Sequence, residues 1–358
     1  MASLVLLREN IPLAPLTTFQ VGGPARFFVE AMSNRDVSDA VVFATSHNLP
    51  LFVLGGGSNL VISDSGWPGL VLKIAISGID RRPGTQDGKV LFDVGAGEIW
   101  DNFVECAVTS RNAGVECLSG IPGSVGGTPV QNVGAYGQEV SSTIESVEVL
   151  DLKDNQVREL CNEACGFAYR SSIFNTTERG RFIILRATYA LTPDGPPNME
   201  YGDLKRYFAG RNPPTLLEIR HALREIRALK GMLIVPGDPD CRSAGSFFKN
   251  PVLSEPQHDA LRRRAEASGL TVPSYPALEK SRKISAAWLV ENSGFPLGYS
   301  LGRAGISSKH ALAIVNRGGA TAEEILALKE NIQHRVEETW GVRLEPEPVM
   351  VGFPPRLS

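Results

Sequence analysis

The chain has 358 residues, 42% apolar and 21% charged, the make-up of a globular protein too long for one compact core and suited to two or three domains. Its 36 basic and 39 acidic residues leave a net charge of −3, which gives no electrostatic basis for a nucleic-acid or anionic-membrane partner. No apolar run reaches the ~18 residues of a membrane span, and residues 1–7 lack the basic flank and long apolar stretch of a signal peptide, so the expected place is the cytosol.

In chain order, residues 26–29 read as a strand, and residues 36–46 follow as a helix whose start, Ser33 with Asp36, is patterned as a capping box. Strands are expected at 51–54, 71–74 and 89–94, then a helix over 99–111 with Gly114 as its C-cap, then strands at 146–152 and 181–191. Strands outnumber helices, and no regular βαβ period appears. The stretch between Leu191 and Thr215 is rich in Pro, Gly and Asn and reads as a loop or linker. A helix follows over 215–230, where Thr215 and Glu218 form a capping box and Leu216, Ile219, Leu223, Ile226 and Leu229 make an apolar stripe. Helices are expected again at 256–267, 285–292 and 321–339, and the run 349–353 reads as a terminal strand. No internal repeat is visible.

Two segments concentrate glycine. Gly55, Gly56, Gly57, Ser58, Asn59 and Leu60 follow an apolar strand. Gly120, Ile121, Pro122, Gly123, Ser124, Gly126 and Gly127 lead into Asn132, Gly134, Ala135, Tyr136 and Glu139. Glycine admits positive φ and close approach to the backbone, so such turns can receive a pyrophosphate. Tight turns alone would account for one cluster; two, with Ser and Asn embedded, point to a dinucleotide. Neither a P-loop nor a strand–GxGxxG–helix unit is present, so the cradle would not be a Rossmann one.

Other residues stand out singly. Arg170 lies in the aromatic segment 167–174, and a guanidinium stays charged when desolvated, which suits a developing oxyanion. A structural ion pair would explain it equally. Ser246, between a glycine and two phenylalanines, has no GxSxG elbow and no evident His partner, so it reads as a proton donor or a structural serine rather than a nucleophile. Of Glu345 and Glu347, set among prolines, at most one is expected to enter a site. Cys106, Cys117, Cys161, Cys165 and Cys241 lack C-x-x-C spacing and read as free thiols. His47, His221, His258, His310 and His334 stand far apart and read as surface or packing residues, so no metal site is expected.

Jointly, Thr17-Thr18-Phe19, Gly22-Gly23, residues 55–60, 119–139, Tyr169-Arg170, 244–251, 307–316 and Glu347 resemble the UDP-N-acetylenolpyruvoylglucosamine reductase family, in the family's order and over nearly the whole chain. The resemblance implies an α+β protein: an FAD-binding domain of the p-cresol methylhydroxylase/vanillyl-alcohol oxidase type in two subdomains, 1–78 and 79–214, and a smaller α+β substrate domain over 215–344. Segment 345–358 could join the first subdomain. FAD would bind non-covalently on the two glycine segments. NADPH would reduce it, and the hydride would pass from N5 to C3 of UDP-N-acetylglucosamine enolpyruvate in a monomeric enzyme.

Under the same resemblance Arg170 would offset the charge that develops on the substrate carboxylate, Glu347 would polarise it, and Ser246 would protonate C2. Tyr201 matches the substrate-covering tyrosine of the long-loop subgroup, while Tyr169, Lys230 and Asn250 match substrate-binding positions. The segment between Lys230 and Ser243 is longer than is usual there. Two other readings stay open: an FAD-dependent alcohol oxidase on the same scaffold, passing electrons to oxygen, and a binding protein without turnover.

Overall fold

The computed structural model describes residues 6–84, 88–277 and 280–354. Residues 1–5 of the N-terminal reading and 355–358 of the C-terminal segment lie outside them. The chain divides into two compact units, one of residues 1–11, 25–57 and 67–229, the other of 12–24, 58–66 and 230–358.

Among the described residues the first unit holds two large sheets besides the short pair Gly134–Ala135/Gln138–Glu139. In one, the strands Arg8–Pro12, Pro24–Ala31, Trp67–Ile74 and Leu51–Leu54 are ordered as written, the last three parallel. In the other, antiparallel strands run in the order Gln156–Cys161, Ile144–Asp151, Phe182–Pro193, Val90–Gly95, Ile79–Pro83. Helix Asn34–Ser46 starts at Ser33, whose side chain accepts from the Asp36 N–H; the Asp36 carboxylate returns to Met32 N–H, one residue earlier than a capping box requires.

Helix Trp100–Thr109 ends at Ser110 rather than running to Arg111, and Arg111 itself, at φ +60°, takes the left-handed turn expected of Gly114. Its buried face packs Phe103 against Tyr189, ring centroids 4.7 Å apart, with Trp100 and Phe92 on either side. Replacing fully buried Phe103 by Ala should cost about 3–5 kcal/mol, because the rings around it cannot close the void. A denaturant midpoint that barely moves would show that this cluster is not the core's anchor.

Two elements depart from expectation. The Pro-rich stretch after Leu191 contains a helix, Gly202–Tyr207; buried Leu204 packs with Cys117, Tyr136, Ile219, Ala222 and Leu223, and that burial outweighs poor local propensity. Helix Leu216–Leu229 belongs to the first unit, so the border falls after Leu229 and not before Thr215. Its buried stripe is Leu216, Ile219, Arg220, Ala222, Leu223 and Arg227, while Leu229 is 78% exposed. The stripe turns two arginines inward because each meets an acceptor: Arg220 donates to Asp101 and Arg227 to Gly120 O.

The second unit carries two three-stranded sheets, Val252–Leu253/Arg282–Ile284/Ser274–Pro276 and Ser300–Leu301/Ala304–Ile306/Ile314–Asn316. Helices Glu255–Ala267, Ala286–Glu291 and Ala322–Trp340 pack into its core. Strand Val349–Val351 pairs in parallel with Leu60–Ile62. Early residues complete this core: Phe19 meets Phe247 edge-on at 6.1 Å, and Asn316 Nδ2 donates to Phe19 O at 2.9 Å. A Cβ on Gly22 would lie 2.7 Å from that of Ile62, and one on Gly23 would lie 2.2 Å from Asp64 O, so only glycine allows this contact.

Candidate active site

In the first unit the two glycine turns lie back to back. A Cβ on Gly56 would stand 2.5 Å from Gly123 Cα, and one on Gly55 would stand 2.9 Å from Ser124 Oγ. Any side chain there would drive the turns apart. Several amides of this segment are already engaged: Gly120 N–H donates to Asp101 at 2.6 Å, Gly126 N–H to Ala96 O at 2.8 Å and Gly127 N–H to Ser124 O at 3.0 Å. The expected row of bare amides is therefore partly spent on holding the turn.

What remains still fits a pyrophosphate. Ser124 Oγ is buried and has no hydrogen-bond partner among the described residues, a state that costs about 1–3 kcal/mol if nothing meets it. A Cβ on Gly127 would meet nothing within 4 Å. An unsatisfied hydroxyl beside an open, side-chain-free backbone is a place for phosphate oxygens, so the residues present suit FAD.

Asn132, at φ +45°, is a brace. Its Nδ2 donates to Glu139 at 2.8 Å and to Ala168 O at 3.1 Å, and its Oδ1 accepts from Ser141 N–H at 3.1 Å. Gly134–Ala135 pairs with Gln138–Glu139 through a hairpin turn at Tyr136 and Gly137, both left-handed at φ +49° and +83°. Tyr136 meets Tyr201 edge-on at 5.2 Å, which ties Tyr201 to the glycine segment.

Arg170 occupies the tight turn Ala168–Ser171, closed by hydrogen bonds of 2.9 and 3.1 Å between those two residues. Its φ is +54°, a conformation that strains any residue with a Cβ and that tends to persist at functional positions. The turn is fastened to the glycine segment at three places: Arg170 to Gly134 O at 2.9 Å, Asn132 to Ala168 O, and Ser172 Oγ to Val130 O at 2.6 Å. The guanidinium also lies 5.5 Å from the centroid of the Tyr169 ring.

In the second unit, residues 247–249 run beside 345–347. Glu347 N–H donates to Phe247 O at 2.8 Å and Lys249 N–H to Glu345 O at 2.9 Å. Ser246 is thereby next along the chain from the residue that receives Glu347. Asn59 joins the same edge, Nδ2 to Glu347 O at 3.3 Å, with its carbonyl accepting from Val349 N–H at 3.0 Å. Glu345 points to solvent and pairs loosely with Lys249 at 3.7 Å. The glycine run 55–60 is divided between the units after Gly57.

The partner that Ser246 lacked in the sequence is His310, whose Nε2 lies 3.2 Å from Ser246 Oγ. Burial, with the nearby Lys230 charge adding to it, pushes the His310 pKa down to about 4, so the ring is neutral at working pH. The S-K-H run offered no helical or metal-like spacing that would have singled it out. Because the folded pKa lies below the ordinary ~6.5, the unfolded chain binds the proton first, and stability present above pH ~6.5 falls as pH drops toward 4. The loss is on the order of 3 kcal/mol. Thermal denaturation of the wild type and His310→Gln between pH 7 and 4 should show the wild type losing more; parallel curves would contradict the assignment.

Asn250 Oδ1 accepts from Ala286 N–H at 2.9 Å, at the start of helix Ala286–Glu291. The long segment after Lys230 is pinned by Asp240, which accepts from Ser308 N–H at 3.1 Å and Oγ at 2.6 Å, and by Lys309 on Asp238 at 2.5 Å. Gly231, at φ +63°, lets it pass Ser307. Among the described residues no cluster of three His, Cys, Asp or Glu could hold a metal ion, and no helix is long and apolar enough to cross a membrane.

Comparison with known proteins agrees with these features. Residues 25–160 match the FAD binding domain family and residues 238–351 the C-terminal domain of UDP-N-acetylenolpyruvoylglucosamine reductase. The reductases of Thermobifida fusca and Streptomyces coelicolor are 43% and 45% identical, each over 96% of this chain and over 98% and 90% of their own length. The crystal structure of the Thermus caldophilus reductase superposes with a TM-score of 0.66 at 27% identity, covering 97% of this chain and all of that one. This chain is an α+β oxidoreductase with an FAD-binding domain and belongs to the UDP-N-acetylenolpyruvoylglucosamine reductase family.

Proposed function

We propose that this protein reduces UDP-N-acetylglucosamine enolpyruvate to UDP-N-acetylmuramate for peptidoglycan synthesis, with NADPH as reductant, as a cytosolic monomer. The observation that carries the reading is the pairing of 247–249 with 345–347, which brings the backbones of Ser246 and Glu347 to one edge of the second unit, with His310 against the Ser246 hydroxyl.

The two glycine turns would hold FAD, which would supply a hydride for C3 of the enolpyruvyl ether. Electron density then moves through C2 into the substrate carboxylate. Arg170, held in its strained turn, offsets that charge with a planar fork of donors. Glu347 polarises the same carboxylate by a hydrogen bond that only its protonated form can donate. Ser246 gives its Oγ proton to C2, with His310 in the tautomer whose Nε2–H donates to Oγ, leaving the hydroxyl proton free for the substrate. Lys230 meets the diphosphate as a point charge, Asn250 has Nδ2 to offer while Oδ1 serves the helix, and Tyr201 with Tyr169 covers the sugar nucleotide.

Incubating the protein with NADPH and the enolpyruvyl substrate should consume one NADPH for each product molecule, the product being heavier by two hydrogens. Turnover of an alcohol with oxygen uptake and no need for NADPH would favour the oxidase reading instead.

A further inference from the structure

Gly120 opens the longer glycine turn at φ +73°, and both sides of its Cα are held by charged side chains. Its N–H donates to Asp101 Oδ1 at 2.6 Å, and its carbonyl accepts from Arg227 Nε at 3.2 Å. The first bond orients the peptide plane before Gly120 and the second the plane after it, so φ and ψ of the residue with the most backbone freedom are both fixed.

Each of these side chains is itself secured. Arg220 grips both Asp101 oxygens at 2.6 and 3.1 Å, and Arg224 bonds the same carboxylate. Arg227 is buried and lies within hydrogen-bonding reach of the Tyr136 hydroxyl. Burial opposes ionisation of Asp101, yet the bonds from Arg220 and Gly120 outweigh it and hold the carboxyl below its usual range. Three arginines against one carboxylate also concentrate positive charge beside a turn meant for a polyanion, in a chain whose net charge is −3. Asp101 lies within the segment matching the FAD binding domain, whereas Arg220, Arg224 and Arg227 fall between the two matched segments.

We infer that Asp101 and Arg227, with Arg220 and Arg224 behind Asp101, are positioning residues that pre-set the Gly120 turn for the flavin dinucleotide, so that FAD binds without having to order the glycines. The inference rests on the reading that this turn holds the pyrophosphate. A preformed turn spares the binding step the cost of fixing backbone torsions, and removing either tether returns that cost to FAD affinity.

The test follows flavin release from diluted holoenzyme by the rise of flavin fluorescence. Asp101→Ala and Arg227→Met should each weaken FAD retention about tenfold or more. Arg227→Lys, which keeps charge but not Nε, should not rescue it. Lowered melting temperature with unchanged FAD retention would overturn the inference and leave a purely structural ion cluster.

Should those variants fail to fold, hydrogen exchange on the wild-type chain stripped of flavin decides. The Gly120 amide should be protected with and without FAD; protection gained only on adding FAD would overturn the proposal. Gly56→Val, which must separate the two turns, tests the underlying reading. FAD lost in that variant but retained in the clamp variants sinks the clamp alone, and FAD retained in all of them sinks the pyrophosphate assignment as well.

Discussion

Ser246→Ala should bleach with NADPH at nearly the wild-type rate and yet form product about 10²–10⁴ times more slowly. The asymmetry follows from placement. The hydroxyl sits on the edge shared with Glu347 and against neutral His310, and on the proposed reading it would serve only the step that adds a proton to the substrate. Stopped-flow spectra of the two half-reactions, recorded separately, check this. Ser246→Cys, whose thiol can still give up a proton, should recover part of the second step. Equal loss in both halves would mean that Ser246 shapes the fold or the cofactor site and is no proton donor.

Arg170→Gly should lose about 10²–10³ in kcat while unfolding within about 1 kcal/mol of wild type. Glycine relieves the φ of +54°, which offsets the lost bond to Gly134 O. Activity and stability would thus part company, as they do where strain is kept for function. Arg170→Lys retains the charge without the fork and should recover little. The kinetic constants and a urea melt of the same preparations decide; a large stability loss with modest kinetic change would restore the structural ion-pair reading.

Strong periodicity made much of the fold legible. The strands near 51–54 and 182–193 and the helices at 34–46 and 322–340 stand where alternation and caps place them. Helix Gly202–Tyr207 was hidden because its stability comes from burying Leu204 against distant residues and not from local propensity. The arginine face of helix Leu216–Leu229 was hidden for a related reason: a carboxylate more than a hundred positions away, Asp101, reverses the preference for burying Leu229.

At the site, glycine content announced the turns, since only glycine permits contacts as close as Gly56 to Gly123. It did not reveal that Gly120, Gly126 and Gly127 have spent their amides. His310 escaped because its significance is a through-space contact with a serine 64 positions earlier, and nothing local marks it. The resemblance to a known family supplied the roles of Arg170, Ser246 and Glu347, which neither spacing nor composition contains.

The most direct measurement is an anaerobic two-stage titration of the purified wild-type protein. NADPH should bleach the flavin absorbance, and UDP-N-acetylglucosamine enolpyruvate, added without oxygen, should restore it with formation of UDP-N-acetylmuramate. A flavin that stays bleached until oxygen is admitted would contradict the account.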